Sequence, residues 1–270
     1  VTILQIIVLA IVQGITEFLP ISSSGHLILV PALIGWPDQG LMMDVGVHMG
    51  TLAAVMVYFR SDVLRMTIAF WKIITGNNTV KAQDKKITLA LILSTIPIII
   101  IGGIVSKYGW NDVWRTMEII GWTSIIFGLL LYVLDHKCTI TQKISELTYG
   151  HALIIGLAQV LAIIPGVSRS GITMTAARGL GFSRTEAARF SMLMSIPTIM
   201  AAGAVEGLKL AESGDFTLGA DIILGAGLSF LTALLAIAAL MKWLEKSSMA
   251  PFVIYRVFLG IGLLWLVYGQ

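Results

Sequence analysis

The chain has 270 residues, 57% of them hydrophobic and 12% charged, with a mean hydropathy of +0.90. That composition excludes an ordinary soluble domain and predicts a polytopic membrane protein. The net charge of +3 comes without a basic tract, so no nucleic-acid partner is expected, and Cys138, the only cysteine, excludes an intrachain disulfide or a cysteine-built metal site.

The first apolar region, 1–35, does not read as a simple span. It lacks a basic n-region and a cleavage site, so it is not expected to be a signal peptide, and the missing initiator Met points to a few residues ahead of Val1. It breaks at "LPISSSGH", where Pro20 ends one helical stretch and serines open another. Irregular backbone at membrane depth is tolerated only where protein buries it or it lines a watery cavity. The region is therefore expected to form two half-helices meeting at a polar turn, a re-entrant hairpin. Spans are expected at 45–59, 87–106 and 118–134. A second broken region, 151–182, carries "IPGVSRSG", and three further spans follow at 187–208, 218–243 and 251–269.

The two broken regions align at a constant offset of 146 residues, pairing Gln13 with Gln159, Ser22 with Ser168, Ser24 with Ser170 and Gly25 with Gly171. The prolines, Pro20 and Pro165, miss that register by one. A hairpin followed by three spans occurs twice, and an odd number of crossings turns the second copy upside down. The expected fold is an all-α polytopic membrane protein with an inverted-topology repeat, six transmembrane helices and two re-entrant helical hairpins. It forms one integral membrane domain over 1–270, with repeat one at about 1–134 and repeat two at about 151–270. The basic connections 60–86, 178–189 and 242–246, together with 135–150, are expected on the cytoplasmic side, which puts both termini and segment 209–215 outside.

Ionisable residues inside such segments are costly and mark functional sites. Gln13 and Glu17 are four apart and share a helix face towards the first break; Ser23 and His26, three apart, share a face of the next half-helix. "SSSG" before an apolar run is also a good N-cap signal, so one of these serines is expected to cap. Capping does not account for Glu17. The second break supplies Arg169 between Ser168 and Ser170, with Thr173 one turn on. A helix starting there offers free amides and a positive dipole end, and Arg adds bidentate phosphate geometry. Pairing of Arg169 with Glu17 is a further expectation, although a buried ion pair by itself stabilises a fold little. Asp44 and His48 are weaker candidates, Glu186 and Arg189 are expected to form a local pair, solvation at an outer interface is expected for Glu206, and Tyr255 and Arg256 read as interface anchors.

"QGITEFLPISSSGH" and "PGVSRSGIT" resemble the two signatures of the undecaprenyl-diphosphate phosphatase family of the bacitracin-resistance type, and "VGVHMGTLAAV" and "PFVIYR" are similar to further segments of it. The resemblance covers essentially the whole chain. It implies a bacterial inner-membrane enzyme that hydrolyses the C55 polyprenyl diphosphate carrier to its monophosphate, with catalysis on the periplasmic side and dependence on Mg2+ or Ca2+. Carried over by residue, the family's acidic pair falls on Gln13 and Glu17, leaving one carboxylate where many relatives have two. Its serine and histidine fall on Ser23 and His26, beside Ser22, and its phosphate-binding positions on Ser168, Arg169, Ser170 and Thr173. In this reading Ser22, Ser168, Arg169, Ser170 and Thr173 hold the diphosphate, and Glu17 is general base or, with Gln13, a cation ligand. Ser23 is a nucleophile with His26 as its base, or water attacks directly, activated by His26 or Glu17. A lipid-phosphate flippase or anion transporter would use the same inverted-repeat site. Homodimerisation is left open.

Overall fold

The structure, a computed structural model, describes residues 2–37, 41–77, 79–109, 113–137, 141–213 and 220–269. Helix α1 (Ile3–Thr16) is opened by a reciprocal cap, Thr2 Oγ1 accepting from the Gln5 amide while Gln5 Oε1 accepts from the Thr2 amide. It stops ahead of Pro20, and α2 (Ser23–Ile34) starts after Ser22, whose φ of 72° lies in the left-handed region. Ser22 Oγ accepts from the Gly25 amide at 3.3 Å, as an N-cap does. The same construction recurs later. Helix α7 (Tyr149–Val160) runs into one tighter turn, Leu161–Ile163, and ends before Pro165. Ser168, φ 71°, then caps α8 (Arg169–Gly179) by accepting from the Gly171 amide at 3.1 Å. Ser22 and Ser168 are the two non-glycine residues with positive φ among the described residues.

The remaining helices are α3 (Leu41–Tyr58), α4 (Arg60–Ile74), α5 (Ala82–Tyr108), α6 (Met117–Lys137), α9 (Arg184–Ser213), α10 (Ala220–Leu244) and α11 (Ala250–Tyr268). Among the described residues, five of them (α5, α6, α9, α10 and α11) contain stretches long and apolar enough to cross a membrane. The sixth expected span, 45–59, corresponds to α3, whose described apolar part Met43–Tyr58 falls with the shorter apolar helices. The basic connection 60–86 is not merely a loop. It contains α4, which packs on α5, buries Ala69 and leaves Leu64, Ile68 and Trp71 exposed at i, i+4 and i+7. Cys138 and most of segment 209–215 lie outside the described residues or side chains.

Close approach of small residues sets the helix pairs. Helix α1 packs on α10 where a Cβ on Gly14 would stand 2.8 Å from the Ser229 carbonyl oxygen, and α7 packs on α5 where a Cβ on Gly156 would stand 2.3 Å from that of Ser94. Gly121 and Gly260 bring α6 and α11 together in the same way. The main apolar core draws on both halves of the chain, including Phe18, Leu52, Leu131, Ile155, Met174, Phe190 and Ile237. At the end carrying the basic connections, buried Asp135 of α6 accepts from Arg178 Nε at 2.9 Å, Arg184 Nε at 2.8 Å and the Met249 amide at 3.2 Å. One carboxylate thus ties α6 to α8 and to the starts of α9 and α11. The expected pair of Glu186 and Arg189 is present at 3.7 Å, and Arg189 also reaches Asp62 of α4 at 2.7 Å.

Candidate functional site

The two helix breaks meet. Glu17, 7% exposed, follows the last turn of α1, and its Oε1 accepts from Arg169 Nη2 at 3.0 Å across 152 residues of chain. Its other oxygen, Oε2, accepts from Gln13 Nε2 at 3.0 Å and from Ser23 Oγ at 2.5 Å. His48 Nε2 of α3 stands 3.9 Å from the same oxygen, its Nδ1 being bonded to the Asp44 carbonyl at 2.7 Å. Arg169 is held on its far side by the Ser191 carbonyl of α9 at 3.3 Å, with the Phe18 ring 5.9 Å from its Cζ. A carboxylate, a hydroxyl and a guanidinium therefore converge at the N-terminal ends of α2 and α8.

The expected phosphate-binding hydroxyls divide. Ser22 and Ser168 are caps, and each also lies within reach of the serine two residues on, Ser24 at 3.4 Å and Ser170 at 3.2 Å. Ser170 Oγ donates to the Leu19 carbonyl at 2.8 Å, clamping one break to the other. Thr173, fully buried, bonds to the Arg169 carbonyl at 2.8 Å and to Ser191 Oγ at 2.7 Å. Ser170 and Thr173 thus shape the cradle from beneath. Arg169 and the first amides of α8 are what this side presents to an anion.

His26 does not stand where the shared helix face with Ser23 placed it. Its Nδ1 is 2.6 Å from the Ser22 carbonyl and its Nε2 is 2.5 Å from the Tyr255 hydroxyl of α11. Ser23, in the first turn of α2, is turned the other way, back to Glu17. The side chain beside Ser23 is therefore the Glu17 carboxylate.

Arg256 is not an interface anchor. It is fully buried, and its guanidinium donates to the carbonyls of Gly166 at 2.9 Å, Val167 at 3.0 Å and Pro20 at 3.4 Å. One side chain of α11 so holds both breaks by their main chain. Removing it would strand these acceptors in a dry interior, at about 1–3 kcal/mol each. Arg256→Met is accordingly expected to lower stability by roughly 3 kcal/mol or more, read as a fall in the melting temperature of the protein in detergent.

Among the described residues no group of three or more His, Cys, Asp or Glu side chains is placed to hold a metal ion. What is present is the single carboxylate of Glu17 and the buried Oε1 of Gln13, which has no hydrogen-bond partner. One or two protein oxygens fit a hard cation that takes its other ligands from phosphates and water, not an all-protein cage. On the opposite face of the α1 break lies an apolar cavity of about 450 Å³, lined by Ile15, Leu19, Leu235, Ala239, Trp243 and Phe252.

A family model described as bacitracin resistance protein BacA matches residues 6–262. The chain belongs to the BacA family. A relative in Hahella chejuensis named undecaprenyl-diphosphatase is 48% identical over 264 residues, 97% of this chain and 98% of its own length. Relatives of that name in Roseobacter denitrificans and Dinoroseobacter shibae are 47% and 46% identical over 268 residues, 99% of this chain and 100% of theirs. The BacA match takes in both helix breaks, Arg256, four of the five described helices long enough to cross a membrane and most of the fifth, α11.

Proposed function

We propose that this chain is an undecaprenyl-diphosphatase, hydrolysing undecaprenyl diphosphate to undecaprenyl phosphate and inorganic phosphate. That activity recycles the lipid carrier for cell-wall synthesis and confers bacitracin resistance. The observation that carries the chemistry is the line from Ser23 Oγ to Glu17 Oε2, 2.5 Å, and from Glu17 Oε1 to Arg169 Nη2, 3.0 Å. Glu17 is the base that takes the Ser23 proton as Oγ attacks the terminal phosphorus. The phosphorus–oxygen bond to the prenyl monophosphate breaks, leaving a phosphoserine. Water then attacks the phosphoserine, Glu17 exchanging the proton, and inorganic phosphate departs. Arg169 and the α8 amides take up charge spread over the phosphate oxygens. The prenyl phosphate leaves as its anion and takes no proton, while His26 steadies the start of α2, which carries Ser23, through the Ser22 carbonyl. A divalent cation bound with the diphosphate would neutralise phosphate charge, with Glu17 and Gln13 as the protein oxygens that would hold it. The apolar cavity beside the α1 break suits a prenyl chain entering sideways from the bilayer.

The architecture we infer is six spans plus two re-entrant hairpins in an inverted repeat. Its support is the matching pair of breaks, with Ser22 and Ser168 at φ 72° and 71° and helices starting at Ser23 and Arg169, 146 residues apart. The packing of α1 on α10 and of α7 on α5 supports it too, since each hairpin then leans on the middle span of the other half. With the basic connections inside, the site opens to the periplasmic face. The test is phosphate release from a prenyl diphosphate by the purified protein in detergent. No release, together with lipid reorientation in proteoliposomes, would favour a flippase.

A further inference from the structure

We propose that Tyr255 is a positioning residue for His26, fixing the orientation of an imidazole that steadies the start of α2 and on which turnover depends; this rests on the phosphatase reading. The partners of the ring decide its state. The Ser22 carbonyl, 2.6 Å from Nδ1, can only accept, so Nδ1 carries a hydrogen. Nε2 of the neutral ring is then an acceptor, and the Tyr255 hydroxyl at 2.5 Å donates to it. The two rings lie nearly parallel, 12° apart with centroids at 5.7 Å. His26 is thereby held in one tautomer and one orientation, with its Nε2 lone pair turned away from Ser23.

Tyr255 reaches His26 because α11 is fixed in rotation at that level. Tyr255, Leu259 and Leu263 recur at i, i+4 and i+8 on one face of α11, and His26 and Leu29 share a face of α2. Leu29 and Leu263 belong to one small apolar cluster with Ile120, against which Leu259 packs. On the next residue, Arg256 grips the main chain of both breaks. The cluster and the guanidinium bracket Tyr255.

The experiment compares Tyr255→Phe, His26→Gln and the double variant for phosphate release from a prenyl diphosphate. Tyr255→Phe keeps the ring in place and removes the one hydrogen bond. It is expected to lower kcat about tenfold with KM unchanged, as the loss of a single ordering hydrogen bond does. The double variant is expected to be no slower than His26→Gln alone, because Tyr255 acts only through His26. Full turnover in Tyr255→Phe, or losses that multiply in the double variant, would overturn the proposal. Nitrogen NMR of labelled histidine gives a second readout independent of turnover. The Nδ1–H tautomer is expected in both proteins, with the Nε2 resonance shifted in Tyr255→Phe by the loss of its donor; an unchanged Nε2 resonance refutes the coupling. If the unaltered protein releases no phosphate, the phosphatase reading fails, and the spectra still decide the role of Tyr255.

Discussion

Arg169→Lys is expected to lower phosphate release from a prenyl diphosphate by at least about a hundredfold, the usual cost of losing one aimed donor at a developing negative charge. Charge is kept in this exchange, but the fork is not. Arg169 uses one terminal nitrogen on Glu17 and the other on the Ser191 carbonyl, so its plane is fixed before any ligand arrives. A lysine ammonium is a point charge on a flexible stem. It can neutralise Glu17 or meet the phosphate, but it cannot hold a planar pair of donors against two phosphate oxygens. The comparison requires variants of matched melting temperature in the same detergent. Near-normal turnover would show that Arg169 only balances the Glu17 charge.

Ser23→Ala is expected to remove turnover almost completely, on the order of 10⁴-fold or more, while a prenyl diphosphate still binds. Without Oγ there is no phosphoserine. Glu17→Gln should fall nearly as far in kcat, because the amide cannot accept the Ser23 proton. Its KM should drop, since the anion then meets Arg169 without a competing carboxylate. Rapid quenching of the unaltered enzyme with labelled substrate should trap phosphoserine. Appreciable turnover by Ser23→Ala with no trapped label would leave direct attack by water, with Ser23 only orienting the phosphate.

Much of this site was legible in the sequence, because buried charge and broken helices have few physical explanations. Glu17 and Arg169, both within apolar segments, had to find partners, and the repeat placed them at equivalent breaks. The helix starts at Ser23 and Arg169 followed from the cap signal of serine and glycine after proline. What misled was the helical-face argument for Ser23 and His26. It holds along a helix, but Ser23 stands in the first turn, where the chain folding back from α1 lies closer than the next turn does. Tyr255 and Arg256 read as interface anchors because their partners, a histidine 229 residues away and backbone carbonyls, do not show in the local pattern. A main-chain acceptor leaves no mark in a sequence. The helix α4 was missed because its apolar face is too short to announce a span, and its charges read as a loop.

The ion pair of Glu17 and Arg169 also bears on how such a chain is made. Its members are 152 residues apart, and at about 5–20 residues/s a ribosome needs roughly 8–30 s to pass from one to the other. For that interval a carboxylate in an apolar segment has been synthesised without its counter-ion. An unpaired charge there costs at least about 2.5 kcal/mol, enough to keep the first helix break near water and unsettled. Arg256 comes later still, in the last helix, and its guanidinium joins the two breaks only once that helix has entered. Maturation of the site is therefore a late event in biogenesis, and the final span acts as the closing piece for chemistry encoded at the beginning of the chain.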